Sequence, residues 1–227
     1  MGCSHYTRPT NDSVVTVAPL SSANGRPPDV RTARSGRCSK QRPVDLEGAE
    51  RAARGLLVAL GADLDAPGLR NTPRRMAAAY GELLTPEPFS FTSFPNEEGY
   101  DELVVVRDVP FQSLCMHHLL PFHGVAHIGY LPAGRIVGLS KLARVVEFFA
   151  RDLQLQERLT TQIAECLQTQ LQPKGVGVVL EAEHLCMSLR GAEVCGARTV
   201  TSALEGIVRE DPRTREEFLR LTMRRGG

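Results

Sequence analysis

The sequence predicts an α+β fold preceded by a small helical subdomain. Three observations carry that expectation. Apolar residues recur at helical spacing through residues 44–100, β-branched runs punctuated by proline and glycine take over from Leu103, and two more helical patterns lie between two pairs of strands. From residue 101 the order is ββααββ and then a helix, which describes one half-buried sheet with a helix pair on one face. Neither an internal repeat nor a glycine-rich nucleotide-binding fingerprint is present.

Residues 1–43 hold seven Lys/Arg against two Asp/Glu and are rich in Pro, Ser, Thr and Gly, so they read as a disordered basic tail. Pro43 and Asp45 then precede a helix carrying Leu46, Ala49, Ala53, Leu56, Leu57 and Leu60, which stops at Gly61. Thr72 reads as the N-cap of a second helix with Pro73 in its first turn, running to about Leu84. Pro86, Pro88 and Pro95 close that helix into a loop, which leaves residues 44–100 as a helical subdomain too small to bury much by itself.

Residues 101–227 form the main domain. Leu103–Val106 and Gly124–Leu131 are predicted strands, with Cys115 to His118 in the loop between them and a turn near Gly124. Ser140 is placed to cap a helix with Leu142, Val145, Val146, Phe149 and Leu153 on one face, and the next helix aligns Leu159, Ile163, Leu167 and Leu171. Val176–Leu185 and Thr199–Leu204 supply the second strand pair, and Pro212–Leu221 a last helix. Strand pairs on so small a unit leave unpaired sheet edges, which favours assembly of several copies into a ring.

Composition narrows the function classes. A 42% hydrophobic, 23% charged chain of 227 residues is globular, and no apolar run reaches spanning length, since Val14–Leu20 is broken by Thr16 and Pro19. Tyr6 stands where a myristoylation motif wants Ser or Thr, so neither a membrane nor a lipid anchor is expected. The basic tail lacks interleaved aromatics, and the remaining residues carry twenty Lys/Arg against twenty-four Asp/Glu, so nucleic acid is not an expected partner. The uneven cysteines fit a reducing cytoplasm and metal chemistry better than a disulfide framework. Cys3, Cys38, Cys166 and Cys195 receive no role.

The chemistry concentrates in Cys115-Met116-His117-His118 and, about 70 residues on, His184-Leu185-Cys186. Cys115 and His118 form a C-x-x-H pair that one turn can aim at a single ion, and Cys186 offers a distant third ligand. Two thiolates and one imidazole with a fourth position open is an arrangement found in catalytic rather than structural zinc sites. His117 and His184, beside those ligands, are suited to moving protons. His123 and His127 read instead as turn and strand residues.

Further motifs lie in order along the chain: Ser113-Leu114-Cys115-Met116-His117-His118, Gly138-Leu139-Ser140-Lys141-Leu142, Gln156-Glu157-Arg158-Leu159-Thr160 and His184-Leu185-Cys186-Met187. Together with Asn71-Thr72-Pro73-Arg74-Arg75 and Arg213-Thr214-Arg215-Glu216-Glu217-Phe218-Leu219, the pattern resembles GTP cyclohydrolase I over about residues 44–225. The resemblance implies a tunnelling fold, in which subunits join their sheets into a barrel and two rings stack as a homodecamer with active sites between subunits. It implies conversion of GTP and water to 7,8-dihydroneopterin triphosphate and formate, with zinc on Cys115, His118 and Cys186 and proton transfer by His117 and His184. It also implies guanine recognition by Glu157 and Gln156, and triphosphate binding by Ser140, Lys141, Arg144 and Arg190, with Arg75 reaching over from an adjoining subunit.

Physical chemistry supports parts of this. A carboxylate at Glu157 offers two acceptors to the N1 and amino protons of guanine, which adenine cannot match. Ser140 and Lys141 open a helix whose free N–H groups attract anions, with Arg144 one turn on. Met116 departs from the family, whose members usually carry glutamate there, and a thioether neither bears charge nor accepts a strong hydrogen bond. That substitution keeps open a non-catalytic, GTP-binding homologue. A secondary copy serving a specialised pterin or deazapurine pathway also stays open. A nitrile reductase of the same fold would want a nucleophilic cysteine and a nicotinamide site, against which the paired histidines argue.

Overall fold

A computed structural model of the chain describes residues 37–38 and 43–223. The expected tail therefore falls outside the described residues except for Arg37, Cys38 and Pro43. In chain order the elements are β1 (Arg37–Cys38), α1 (Leu46–Ala59), α2 (Thr72–Leu83), β2 (Phe89–Ser90), β3 (Ser93–Pro95), β4 (Val104–Cys115), β5 (Pro121–Leu131) and β6 (Arg135–Val137). There follow α3 (Leu139–Ala150), β7 (Leu153–Gln154), α4 (Gln156–Leu171), β8 (Gly175–His184), α5 (Leu185–Ser188), β9 (Thr199–Gly206), α6 (Ile207–Glu210) and α7 (Pro212–Thr222). The α+β expectation holds: β4, β5, α3, α4, β8 and β9 are the ββααββ core, and the short elements decorate it.

The main sheet has five strands in the order β7-β4-β5-β8-β9, antiparallel except for the β4–β7 pair. Alternation decides its two faces. Phe122, Ala126, Ile128 and Tyr130 on β5, with Val176, Val178, Leu180 and Ala182 on β8, are buried in one core with Leu142, Val145 and Val146 of α3 and Leu159, Ile163 and Leu167 of α4. The opposite face is closed by α7. Gly129 and Gly177 are register partners, and a Cβ at either would lie within 2.8 Å of the ring of Phe218, which fills the slot they leave and is fully buried. Burying a phenylalanine there contributes about 1.5–3 kcal/mol.

The strands run longer than the sequence suggested. Gly124, expected at a turn, lies inside β5 opposite Phe111, and Pro110 lies inside β4 opposite Val125. Pro110 is tolerated because, among the described residues, β4 has a partner on its outer side only at Leu114 and Cys115, so most of that edge needs no N–H donor. Gly124 marks a close approach of backbones rather than a turn, since a Cβ there would lie 1.9 Å from the Glu181 carbonyl oxygen. A bulge between Val106 and Val109, with Asp108 at φ 55°, bends β4.

Two helix starts also move, one by a single residue and the other by two. Asn71, not Thr72, precedes α2, and Gly138, not Ser140, precedes α3 in an extended conformation; neither helix has a side-chain cap. Helix α1 is capped by Asp45, whose carboxylate accepts from Gly48 N–H at 2.8 Å. Helix α2 is tied to the main sheet region by Tyr80, whose hydroxyl donates to Leu119 O, and by Arg151, which donates to Glu82 O. Among the described residues no helix is long and apolar enough to cross a membrane.

Candidate metal centre and its surroundings

Strand β4 ends at Cys115 in a tight turn that brings the chain back into β5. The Cys115 carbonyl accepts from both His118 N–H (3.3 Å) and Leu119 N–H (2.8 Å), while Cys115 N–H donates to Leu120 O. This helical turn puts the side chains of Cys115 and His118 on one side, and Leu119 takes a left-handed φ of 53° to complete it. Cys186 arrives from the other direction, on the one-turn helix α5 that continues β8.

The three side chains meet. One ligand atom each from Cys115, His118 and Cys186 lies within 4.8 Å of the others, with Cys115 Sγ 3.9 Å from His118 Nδ1. Cys115 is buried, Cys186 half-buried and His118 exposed, so the cluster opens to solvent on one side. Two soft sulfurs and an imidazole suit a borderline-soft divalent ion, and the group can bind a metal. Burial, then the neighbouring Cys115, pushes the Cys186 thiol up, and Arg190 opposes that rise. A bound cation reverses this balance, since it favours the thiolate.

His184 is the last residue of β8 and the N-cap of α5, two residues before Cys186. Its ring lies flat on Phe122, 4.7 Å between centroids and 1° between planes. Its Nε2 is 2.8 Å from Gln156 Oε1. Burial lowers its pKa below the usual 6.5, and the nearby Glu157 carboxylate works against that shift.

The start of α4 reaches this place because β7, just before it, pairs with Leu114 and Cys115 at the end of β4. Buried Ser113 reinforces the junction by donating to Ala150 O at 2.6 Å. Glu157 is exposed in the first turn of α4, where the helix dipole favours a carboxylate. Gln156 is buried instead: its amide nitrogen contacts Leu180 O, Thr199 O and Thr201 Oγ1, and its oxygen meets His184. Both ends of the amide are engaged inside the protein, so Gln156 holds a neighbour where the sequence suggested a direct guanine contact.

The remaining expected residues are less gathered. His117 is exposed and packs edge-on to His118. Ser140 and Arg144 are exposed and Lys141 half-buried at the start of α3. Arg75 is exposed and donates to Gly68 O at 3.0 Å. His127 is a packed strand residue whose Nδ1 accepts from Asp108 N–H, whereas His123 lies within β5 and not in a turn. Thr201 and Phe122 carry no signal in the sequence that ties them to the site. A cavity of about 570 Å³ between β4 and α3, lined by Phe111, His123, Ala143, Glu147 and Arg151 among others, contains none of the three ligands.

Residues 49–223 match the family model described as GTP cyclohydrolase I. The chain belongs to that family. It is 53% identical over 188 residues to GTP cyclohydrolase 1 of Streptomyces griseus, covering 80% of this chain and 92% of that protein. It is 51% identical over 178 residues to GTP cyclohydrolase 1 of Aquifex aeolicus, covering 78% and 97%. To the protein of the same name from Dehalococcoides mccartyi it is 47% identical over 187 residues, covering 80% and 99%. The curled antiparallel sheet with its helix pair accords with the family's tunnelling fold, and the Cys115–His118–Cys186 cluster with a metal-dependent enzyme of this kind.

Proposed function

We propose that this chain is a zinc-dependent GTP cyclohydrolase that hydrolyses GTP to 7,8-dihydroneopterin triphosphate and formate. The observation that carries the reading is the convergence of Cys115, His118 and Cys186 within 4.8 Å at the end of the strand that presents His184. In this reading those three residues hold zinc and leave a fourth position open. When bound, the ion supplies the Lewis acidity that activates water toward C8 of the purine.

The chain's own groups do the rest. His184, whose pKa burial lowers, takes up and returns a proton as the imidazole ring of the substrate opens. Exposed His117 serves as the second proton carrier. Glu157 accepts from guanine N1 and the exocyclic amine, while Gln156, just before it in α4, holds His184. Ser140 at the start of α3 and the cations Lys141 and Arg144 serve the triphosphate, joined by Arg190 and by Arg75 from a neighbouring copy.

Assembly as a homodecamer with sites between subunits is part of the same proposal. Among the described residues the outer edge of β4 is paired only at its last two residues and β9 has a partner on one side alone, so both offer backbone groups to another copy. We assign the enzyme to the cytoplasm, where thiolate ligands stay reduced. We also read residues 1–43 as a tail dispensable for turnover, 44–100 as a helical subdomain and 101–227 as the catalytic domain. Half-exposed Met116, beside the ligands, favours one second reading, a homologue that binds GTP without hydrolysing it. Formate release from GTP by the zinc-loaded protein separates the two.

A further inference from the structure

We propose that Gln156 is a positioning residue which holds His184 as the tautomer protonated on Nε2, leaving Nδ1 as the nitrogen that accepts a proton. The proposal rests on the reading of His184 as a proton carrier and names the atom through which it acts.

The sense of each hydrogen bond follows from what the partners are able to do. Gln156 Nε2 lies 3.1 Å from Leu180 O, 2.9 Å from Thr199 O and 3.1 Å from Thr201 Oγ1. Two of these are backbone carbonyls, which only accept, so this end of the amide must be the NH₂ group; a flipped amide would set oxygen against oxygen twice. Thr160 settles the third contact. Its hydroxyl donates to Gln156 O at 2.6 Å, which engages its single hydrogen, so the 2.7 Å contact between Thr160 and Thr201 is a donation from Thr201. Thr201 Oγ1 is then an acceptor as well, so the two amide hydrogens of Gln156 are shared among three acceptors.

The other end of the amide is therefore the carbonyl. Oε1 lies 2.8 Å from His184 Nε2, and a carbonyl in that position requires a hydrogen on the ring nitrogen. Phe122 fixes the plane of the imidazole by stacking at 1°, and Gln156 fixes its rotation within that plane, because a ring flip would exchange Nε2 for a carbon facing Oε1. Gln156 and Thr160 are 2% and 1% exposed, so solvent does not compete for these contacts. Four elements (α4, β5, β8 and β9) thus converge on one tautomer.

The test is magic-angle-spinning NMR of full-length, zinc-loaded protein labelled with ¹⁵N-histidine at about pH 8, above the usual histidine range. His184 signals are identified by their loss in His184→Asn. The expected spectrum shows a protonated Nε2 and a bare Nδ1. In Gln156→Met the signals should spread over both tautomers and kcat should fall about 10–100-fold, with zinc content and KM unchanged. A wild-type His184 protonated on Nδ1, or a Gln156→Met enzyme with undiminished kcat, would overturn the proposal. An effect confined to KM would do so too, by assigning Gln156 to the substrate. If Gln156→Met does not fold, the wild-type spectrum still decides. A wild type with the expected tautomer but no formate release would count against the proposed reaction and not against the tautomer.

Discussion

Phe122 and His184 are register partners across β5 and β8, and their rings stack in parallel planes 4.7 Å apart. The sheet that forms the core therefore also sets the plane of the imidazole beside the metal ligands. Fold and site share this pair: Phe122 is fully buried in the helix-covered core, while His184 is half-buried and opens the ligand-bearing turn.

His184→Ala is expected to keep its metal and lose turnover. Loss of a positioned acid–base group costs about 10²–10⁴-fold in kcat. Metal analysis and a formate assay on the same sample check this; a variant that loses its metal would make His184 a ligand instead.

Cys186→Ala should do the reverse and lose the ion together with activity, because two remaining ligands do not hold zinc at a catalytic site. Dialysis against a mild chelator followed by metal analysis is the measurement. Retention of stoichiometric metal would remove Cys186 from the ligand set.

Glu157→Ala is expected to weaken discrimination of GTP over ATP. Hydrogen bonds to a charged group are worth about 1.5–3 kcal/mol, or roughly 10–150-fold in relative affinity. Competition binding of the two nucleotides reads this directly, and an unchanged ratio would end the base-reading role.

Stability should fall in Phe218→Ala by about 3–5 kcal/mol, since the ring is fully buried and fills the Gly129–Gly177 slot. Denaturant unfolding checks it. A change under about 1 kcal/mol would show that α7 does not close this face.

Asp211 provides a pH test away from the site. Its carboxylate caps α7 by accepting from the N–H and hydroxyl of Thr214, which holds its pKa below the usual 3.8. A depressed acid contributes stability that is present above 3.8 and lost as pH falls toward the folded value. Asp211→Asn keeps a cap without the titration, so its stability should depend less on pH below 3.8 than that of the wild type. Parallel acid limbs would contradict this.

The ligand cluster was legible in the sequence because soft ligands at C-x-x-H spacing are rare and local, and the turn at His118 is local too. The element order was legible for a similar reason, since periodicity changes where helices give way to strands. Strand lengths were not, because Pro110 and Gly124 carry turn chemistry that an edge strand and a close backbone approach override. The role of Gln156 was also hidden. A glutamine at a helix start reads as solvent-facing until β9, some 43 residues on, delivers Thr199 O and Thr201 to its amide. Likewise nothing local to Gly129 and Gly177 names Phe218, which is far along the chain, as the group that fills their slot.

The most direct test of the account is a single-sample measurement on purified, zinc-loaded, oligomeric protein: metal content, formate released from GTP, and fluorescence of the oxidised pterin product. The account requires stoichiometric zinc, formate and pterin formed in equal amounts, and no turnover of ATP. Bound zinc and bound GTP with neither formate nor pterin would contradict it and leave the Met116-bearing site as a nucleotide-binding one.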